Sequence, residues 1–369
     1  MEKVIIISEN YSLVPIINYF LPTGLTVVLT GKKYYYKENL DTLNENLTDL
    51  VLTPRTLCIK DGMVKRIRET VPFYFNMLDG LSELCRRVDV VGIVTHSWGG
   101  KEAALLNIGK HLGIPTIVLQ NGIWPKDVKQ SFYGNYVDCT RILCSSDFMR
   151  DRYIELGVDE NKLVVTGHPY FDGYDEIINR QRNRTKSKRV LVGFELSFMR
   201  TETLNQDVPW FHSPPISYKN YFLMYEVASR MPDYEFIIKL KPHGHLRAEH
   251  FADAPANVKV VNDMLVDWLD KVDVVVAANS TLVGESIFVG IPTIVPKQDM
   301  PFWDYMEAAK EIDWTVENIC NAIENSIGTT VDNEKFNSYY FSHNLDYNSL
   351  DRVVKSIEEV INDKCDNSG

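Results

Sequence analysis

The chain has 369 residues, more than one hydrophobic core usually supports, so two domains are expected. Hydrophobic residues make up 45% of it, enough for packed cores, yet no apolar run reaches the length of a transmembrane helix. The net charge of −11 argues against a protein built mainly to bind nucleic acid. The six cysteines are scattered without a C-x-x-C pair, which favours reduced thiols in the cytoplasm over a disulfide framework or a zinc site.

The first half of the chain alternates short β-branched runs with helical segments. Polar residues interrupt the first 21 residues, so these predict neither a membrane span nor a signal peptide. Strands separated by helices in this way predict a parallel sheet that is covered on both faces. The predicted strands are residues 3–8, 25–30, 88–95, 114–119, 141–145 and 163–166.

A basic, polar segment at residues 179–189 (NRQRNRTKSKR) has no apolar period, and it separates two α/β patterns. It predicts an interdomain linker, with a nucleic-acid contact as the alternative. Beyond it, strands are predicted at 190–194, 236–240, 258–261, 274–278 and 293–295, and helices at 218–231, 264–271 and 282–289. The predicted domains are residues 1–178 and 190–330, and residues 331–369 form a helical segment that packs back on the first domain.

The most informative stretch is residues 272–296. A buried strand leads directly into Asn279, Ser280 and Thr281, at the place where the N-cap of the next helix belongs. Backbone N–H groups and the positive end of a helix dipole meet at such a point, which attracts phosphate. Glu285 lies one turn into the helix, where its carboxylate could accept hydrogen bonds from a ribose diol. The alternative is an ordinary βαβ unit in which Ser280 only caps the helix.

Polar residues also follow most of the other predicted strands. Ligands of open α/β sheets bind beyond the carboxyl ends of the strands, so these residues are the candidates for a site. They are Glu9, Asn10, His96, Ser97, Asn121, His168, Glu195 and His243, together with Ser280 and Thr281.

Three of these candidates are histidines with different expected roles. His243 lies in a KPHGH run after a strand, where its ring or a backbone N–H can meet a phosphate, although a plain loop histidine is the alternative. His96 precedes a Gly-Gly pair and is a candidate general base; the alternative is a histidine that caps a helix or donates to a carbonyl. Glu9 and Asp127 are alternative bases, and His168 before a proline is expected to be structural.

Several well-known motifs are missing from the sequence. There is no D-x-D, no Walker A loop, no G-x-G-x-x-G after the first strand and no G-x-S-x-G. Their absence argues against ATPase, dinucleotide and α/β-hydrolase chemistry, and against transferases that use D-x-D to hold a divalent metal.

Four motifs in order resemble the GT-B glycosyltransferase superfamily, and in particular bacterial surface-polysaccharide transferases such as CDP-glycerol glycerophosphotransferases and Kdo-type capsule transferases. They are LQNGI at 119–123, the run at 141–172, KPHGH at 241–245 and NSTLVGES at 279–286. The spacing of Ser280 and Glu285 is also similar to the uridine-diphosphate site of non-hydrolysing sugar 2-epimerases, which share this fold.

This resemblance implies two Rossmann-like domains whose parallel sheets face each other across a cleft, the first reading the acceptor and the second holding the donor. It implies metal-independent transfer from a nucleotide sugar of the UDP or CDP/CMP type, without a further cofactor. His243, Ser280 and Thr281 would contact the donor phosphates and Glu285 the ribose. Asn279 and Glu195 complete the predicted donor side, and the predicted catalytic residues are His96, His243 and Glu9.

The leading hypothesis is therefore a cytoplasmic glycosyltransferase that acts on a hydroxyl of a glycan, a lipid-linked saccharide or a modified base in phage-type DNA. The basic runs at 60–68 and 179–189 are the reason to retain DNA as an alternative acceptor. The second hypothesis is an epimerase of UDP-sugars on the same fold. The third is a nucleotide-sugar-binding protein without activity. The sequence does not identify the donor or the acceptor, and it does not decide between a monomer and a homodimer.

Overall fold

The structure, a computed structural model, describes residues 3–8, 13–23, 25–30, 75, 77–96, 100–120, 139–194, 214–240, 248–278, 280–297 and 306–366. The chain divides into two compact units. The first unit comprises Met1–Gly122, Val128–Asp172 and Ser342–Gly369, and the second comprises Ile123–Asp127 and Gly173–Phe341. Within the described residues, no helix is long and apolar enough to cross a lipid bilayer.

The strands fall where β-branched residues are concentrated. They are β1 (Lys3–Ser8), β2 (Thr26–Thr30), β3 (Asp89–Thr95), β4 (Thr116–Leu119), β5 (Arg141–Cys144), β6 (Leu163–Val165), β7 (Arg189–Phe194), β8 (Glu235–Lys239), β9 (Val258–Val261), β10 (Val274–Ala278), β11 (Thr293–Pro296) and β12 (Ala309–Ile312).

The helices connect these strands or flank them. They are α1 (Val14–Phe20), α2 (77–87), α3 (Gly100–His111), α4 (Asp147–Glu155), α5 (Tyr174–Asn183), α6 (Pro214–Arg230), α7 (Val266–Leu269), α8 (Thr281–Val289), α9 (Val316–Ser326), α10 (Glu334–Tyr340) and α11 (Ser349–Asp366).

The sheet of the first unit has six parallel strands in the order β2-β1-β3-β4-β5-β6. Alternate side chains of β1 point to opposite faces, as the pleat requires. Ile5 and Ile7 pack in a cluster with residues of α1 and α11, whereas Val4 and Ile6 pack with residues of α2 and α3. Because both faces are covered, the strands read as continuous apolar runs in the sequence.

The sheet of the second unit is also parallel, in the order β12-β11-β10-β7-β8-β9. The chain forms β7 first and adds β8 and then β9 on one side of it. The next strand, β10, lies on the other side of β7. Val274 pairs with Val190, and Ala278 at the end of β10 pairs with Phe194 at the end of β7. The strand order therefore reverses between β7 and β10, and open α/β sheets bind their ligands at such a reversal.

Both faces of the second sheet are covered by helices. Val192 and Val276 belong to a core cluster with residues of α6 and α9, among them Met224 and Ile323. Helix α8 contacts β10 and β11, and all its residues from Leu282 to Val289 are buried. A helix this apolar on all sides needs neighbours all round, and α5 and α10 also contact α8.

The sequence correctly predicts every strand of both sheets except β12, but it places the linker wrongly. The predicted linker at 179–189 begins inside α5, and the boundary between the units falls instead between Asp172 and Gly173. The sequence did not predict α5, because the basic residues of this segment outweigh its apolar pattern. The apolar face of the helix is formed by Tyr174, Ile177 and Ile178. Of the residues at 331–369, α10 lies in the second unit and residues 342–369 lie in the first.

Candidate functional site

Helix α8 begins at Thr281, three positions after the last residue of β10. Ser280 is the N-cap: its backbone is extended, its Oγ accepts a hydrogen bond from the Leu282 N–H at 3.3 Å, and its carbonyl accepts from the Val283 N–H at 3.0 Å. Thr281, the first residue of the helix, is exposed. Helix α8 thus directs the positive end of its dipole to the carboxyl edge of the sheet, which is an arrangement suited to an anion.

The first turn of α8 packs closely against the sheet. Gly193 in β7 lies under Leu282, and a Cβ atom at Gly193 would be 2.6 Å from Leu282 Cδ2. A side chain at position 193 would therefore require the Leu282 side chain to move. The first turn of α8 therefore sits directly at the point where the strand order reverses between β7 and β10.

Glu285 lies one turn into α8 and is only 7% exposed. The hydroxyl of Tyr174, the first residue of α5, donates a hydrogen bond to Glu285 Oε2 at 2.5 Å. A hydroxyl–carboxylate bond of this length is charge-assisted. Glu285 is therefore a buried carboxylate one turn from the N-terminus of α8, near the strand-order reversal.

Eight of the candidate residues lie outside the described part of the chain: Glu9, Asn10, Ser97, Asn121, Asp127, Glu195, His243 and Asn279. Their predicted roles stay predictions. Of the predicted donor-side residues, the structure brings Ser280, Thr281 and Glu285 together on α8 and its cap.

The carboxyl edge of the first sheet holds a separate set of buried polar residues. The backbone N–H of His96, after β3, donates to Ser8 Oγ at 3.3 Å. Gln120 follows β4, and its Oε1 accepts from the Ser145 N–H after β5 at 3.1 Å. The rings of His96 and His168 meet edge to face, with their centroids 6.1 Å apart.

Both histidines are buried, and burial favours their neutral form. His96 is 3% exposed and His168 is 2% exposed. Burial lowers the pKa of His96 to about 3, with a smaller contribution from neighbouring His168. Burial also lowers the pKa of His168 to about 4. A ring that is buried and neutral down to such a pH is a weak proton acceptor, which argues against the general-base role predicted for His96.

His168 has the structural role that its position before a proline predicts. Its Nδ1 accepts a hydrogen bond from the Tyr170 N–H at 3.2 Å and so caps the short helical turn that follows. Its carbonyl accepts from Asn344 Nδ2 at 2.9 Å, which connects this turn to the segment before α11. In the described ranges no three His, Cys, Asp or Glu side chains are grouped so as to hold a metal ion.

Tyr174 is the site residue that sequence reasoning missed. It lies 111 positions before Glu285, so the two residues belong to no common sequence motif. Nothing in local spacing connects the two residues, because the contact is made only when α5 packs beside α8.

No family model and no curated protein matches the sequence. Solved structures do match the fold. The UDP-GlcNAc 2-epimerase of Methanocaldococcus jannaschii, in complex with UDP-GlcNAc and UDP, aligns over 97% of this chain and 100% of its own, with a TM-score of 0.61 and 15% identity. The MnaA protein of S. aureus, in a co-structure with UDP, aligns over 98% of this chain and 97% of its own, with a TM-score of 0.60 and 13% identity.

A glycotransferase of kitacinnamycin is similar to the same extent. It aligns over 98% of this chain and 99% of its own, with a TM-score of 0.59 and 14% identity. Likenesses at these identities concern the fold, and they agree with the two six-stranded parallel sheets. The chain therefore has the two-domain α/β fold of the GT-B enzymes, which include glycosyltransferases and UDP-GlcNAc 2-epimerases.

Proposed function

We propose that this protein is a glycosyltransferase that moves a sugar, or a similar activated group, from a nucleotide donor to a hydroxyl acceptor. One observation carries the proposal. The capped N-terminus of α8 lies at the strand-order reversal between β7 and β10, with the buried carboxylate of Glu285 one turn further along. A nucleoside diphosphate has a matching pair of groups, an anionic phosphate and a ribose diol.

In this proposal the phosphates of the donor accept hydrogen bonds at Ser280 and Thr281, and the helix dipole stabilises the charge that develops on the leaving group. Glu285 accepts hydrogen bonds from the ribose. His243 assists the leaving phosphate, in keeping with its place in the KPHGH run. Of the predicted bases, Glu9 is preferred over His96, because His96 is buried with a lowered pKa.

The finer proposal is a transferase of the bacterial surface-polysaccharide type, acting in the cytoplasm on a glycan or a lipid-linked saccharide. It is supported by the order of the four motifs between residues 119 and 286. A DNA acceptor is less favoured, because three arginines of the basic segment at 179–189 are engaged within the second unit. Arg180 pairs with Asp270, Arg184 with Asp273 and Arg189 with Glu235.

A thermal-shift panel with UDP, CDP, CMP, GDP and TDP tests the donor site. A ligand that binds only the folded protein raises its unfolding temperature, and the rise grows with the logarithm of ligand concentration over the dissociation constant. We expect UDP or CDP to give the largest rise, and inorganic phosphate at the same concentration to give little. A panel in which no nucleotide raises the unfolding temperature would contradict the proposal.

An epimerase is the second candidate, since UDP-GlcNAc 2-epimerases of the same fold align over nearly the whole chain. The two activities differ in what they need. A transferase leaves the sugar of its donor unchanged in configuration until an acceptor is added, whereas an epimerase converts the donor alone. Incubating UDP-GlcNAc alone with the protein and following the sugar by proton NMR separates them: a new C2 epimer would replace the transferase proposal by the epimerase.

A further inference from the structure

Glu285 is held from outside its own helix. Its carboxylate is contacted from α5, where the Tyr174 hydroxyl donates a hydrogen bond to Oε2 at 2.5 Å. A carboxylate at the second turn of a helix otherwise has three side-chain torsions to fix. The hydrogen bond from Tyr174 selects one arrangement of them.

The ring of Tyr174 is itself fixed in place. It is 1% exposed, and its centroid lies 5.8 Å from that of Phe288, which is on the same helix as Glu285 and one turn further along. Phe288 in turn stacks on Phe341, with centroids 4.2 Å apart and planes within 13°. The hydroxyl of Tyr174 therefore meets Glu285 from a position that packing determines, and not from a mobile surface side chain.

We infer that Tyr174 is a positioning residue for the ribose-binding carboxylate of Glu285. An ionised carboxylate can accept up to about four hydrogen bonds, so it keeps its bond from Tyr174 while it accepts the ribose diol. Fixing the carboxylate before the ligand arrives lowers the entropy cost of binding. The inference rests on the proposed function, because it takes the ribose of a nucleotide as the ligand of Glu285.

Tyr174→Phe tests the inference, since it removes the hydroxyl and keeps the packed ring. Dissociation constants are measured by calorimetry at low temperature for UDP and CDP, each beside its 2′-deoxy counterpart. We expect wild type to prefer the ribonucleotide by about tenfold, the size typical of a hydrogen bond to a charged group. Tyr174→Phe should lose most of this preference, by weakening ribonucleotide binding and leaving the 2′-deoxy ligand almost unaffected.

Two controls separate positioning from general loss of structure. Tyr153→Phe makes the same change at a buried tyrosine on α4 in the first unit, and it should keep the wild-type preference. In a Glu285→Gln background, which removes the charge, adding Tyr174→Phe should cause no further loss of preference.

The outcomes distinguish the inference from the function on which it rests. If wild type binds nucleotides and Tyr174→Phe keeps the preference for ribose, or weakens both ligands equally, Tyr174 only stabilises the fold and the inference is overturned. If wild type binds neither UDP nor CDP, the proposed function itself fails, and the inference fails with it.

Discussion

Arg184 is ion-paired with Asp273, a carboxylate whose side chain is fully buried. The other oxygen of Asp273 accepts hydrogen bonds from the backbone N–H groups of Ser187 and Arg189, at 3.1 and 2.9 Å. One carboxylate just before β10 thereby fixes the connection between α5 and β7. The segment that composition marks as a loose linker is instead fastened to the body of the second unit.

Removing this charge should destabilise the protein strongly. Asp273→Asn keeps the size of the side chain but leaves Arg184, which is itself mostly buried, without its counter-charge. Breaking one side of a buried pair typically costs about 3–5 kcal/mol in the free energy of unfolding, and urea unfolding measures it. Glu226→Gln, in an exposed pair with Arg230, is the control and should change stability by less than about 1 kcal/mol. Equal effects of the two changes would show that the Asp273 pair is not a structural clamp.

Gly167 should not tolerate a side chain. Its φ is +76°, and a Cβ atom there would collide with the carbonyl oxygen of His343 and with Ser349 Oγ. Left-handed strain and overpacking together predict that Gly167→Ala costs about 3 kcal/mol. Gly157→Ala is a matched control, because Gly157 has φ +88° but no atom within 4 Å of its Cβ position, so only the backbone strain of about 1 kcal/mol remains. Similar unfolding midpoints for both variants would mean that the crowding at Gly167 relaxes freely.

The buried histidines predict acid sensitivity. The pKa values of His96 and His168 are lowered to about 3 and about 4 in the folded protein, and an unfolded histidine titrates near 6.5. As the pH falls below about 6.5, the unfolded chain takes up protons that the folded protein does not. The free energy of unfolding should therefore fall, by at most about 1.4 kcal/mol per pH unit for each histidine, and level off below the folded pKa values.

Urea unfolding between about pH 7 and pH 5, above the range where most carboxylates titrate, measures this slope. His96→Gln should make the slope shallower by removing one of the two contributions. A His96→Gln protein with the slope of wild type would mean that His96 gains no extra protons on unfolding.

The fold could be predicted wherever the local sequence pattern matches the structure that the residues adopt in the folded chain. Buried parallel strands are continuous β-branched runs, and the Ser280 cap follows β10 directly, so both could be predicted. The linker at 179–189 was predicted wrongly because its arginines look solvated in the sequence, whereas Asp270 and Asp273 are brought to them only by the fold.

The geometry of the candidate site could be predicted in part, for the same reason. Ser280, Thr281 and Glu285 are close in sequence and share one helix, so their proximity is a matter of spacing. Tyr174 reaches Glu285 only through the packing of α5 on α8. His96 ends a strand at the carboxyl edge, as expected, but the sequence does not reveal that His168 and the surrounding core bury its ring.

Calorimetric titration of the intact protein with UDP and CDP tests the donor site on α8 most directly, when wild type is compared with Glu285→Gln. Wild type should bind at least one of the two nucleotides, and folded Glu285→Gln should bind it more weakly by about 1–3 kcal/mol, or roughly 5- to 160-fold. Glu226→Gln, on the surface of the same unit, should bind as wild type does. Wild type that binds neither nucleotide, or folded Glu285→Gln that binds as tightly as wild type, would contradict a nucleotide site at this helix.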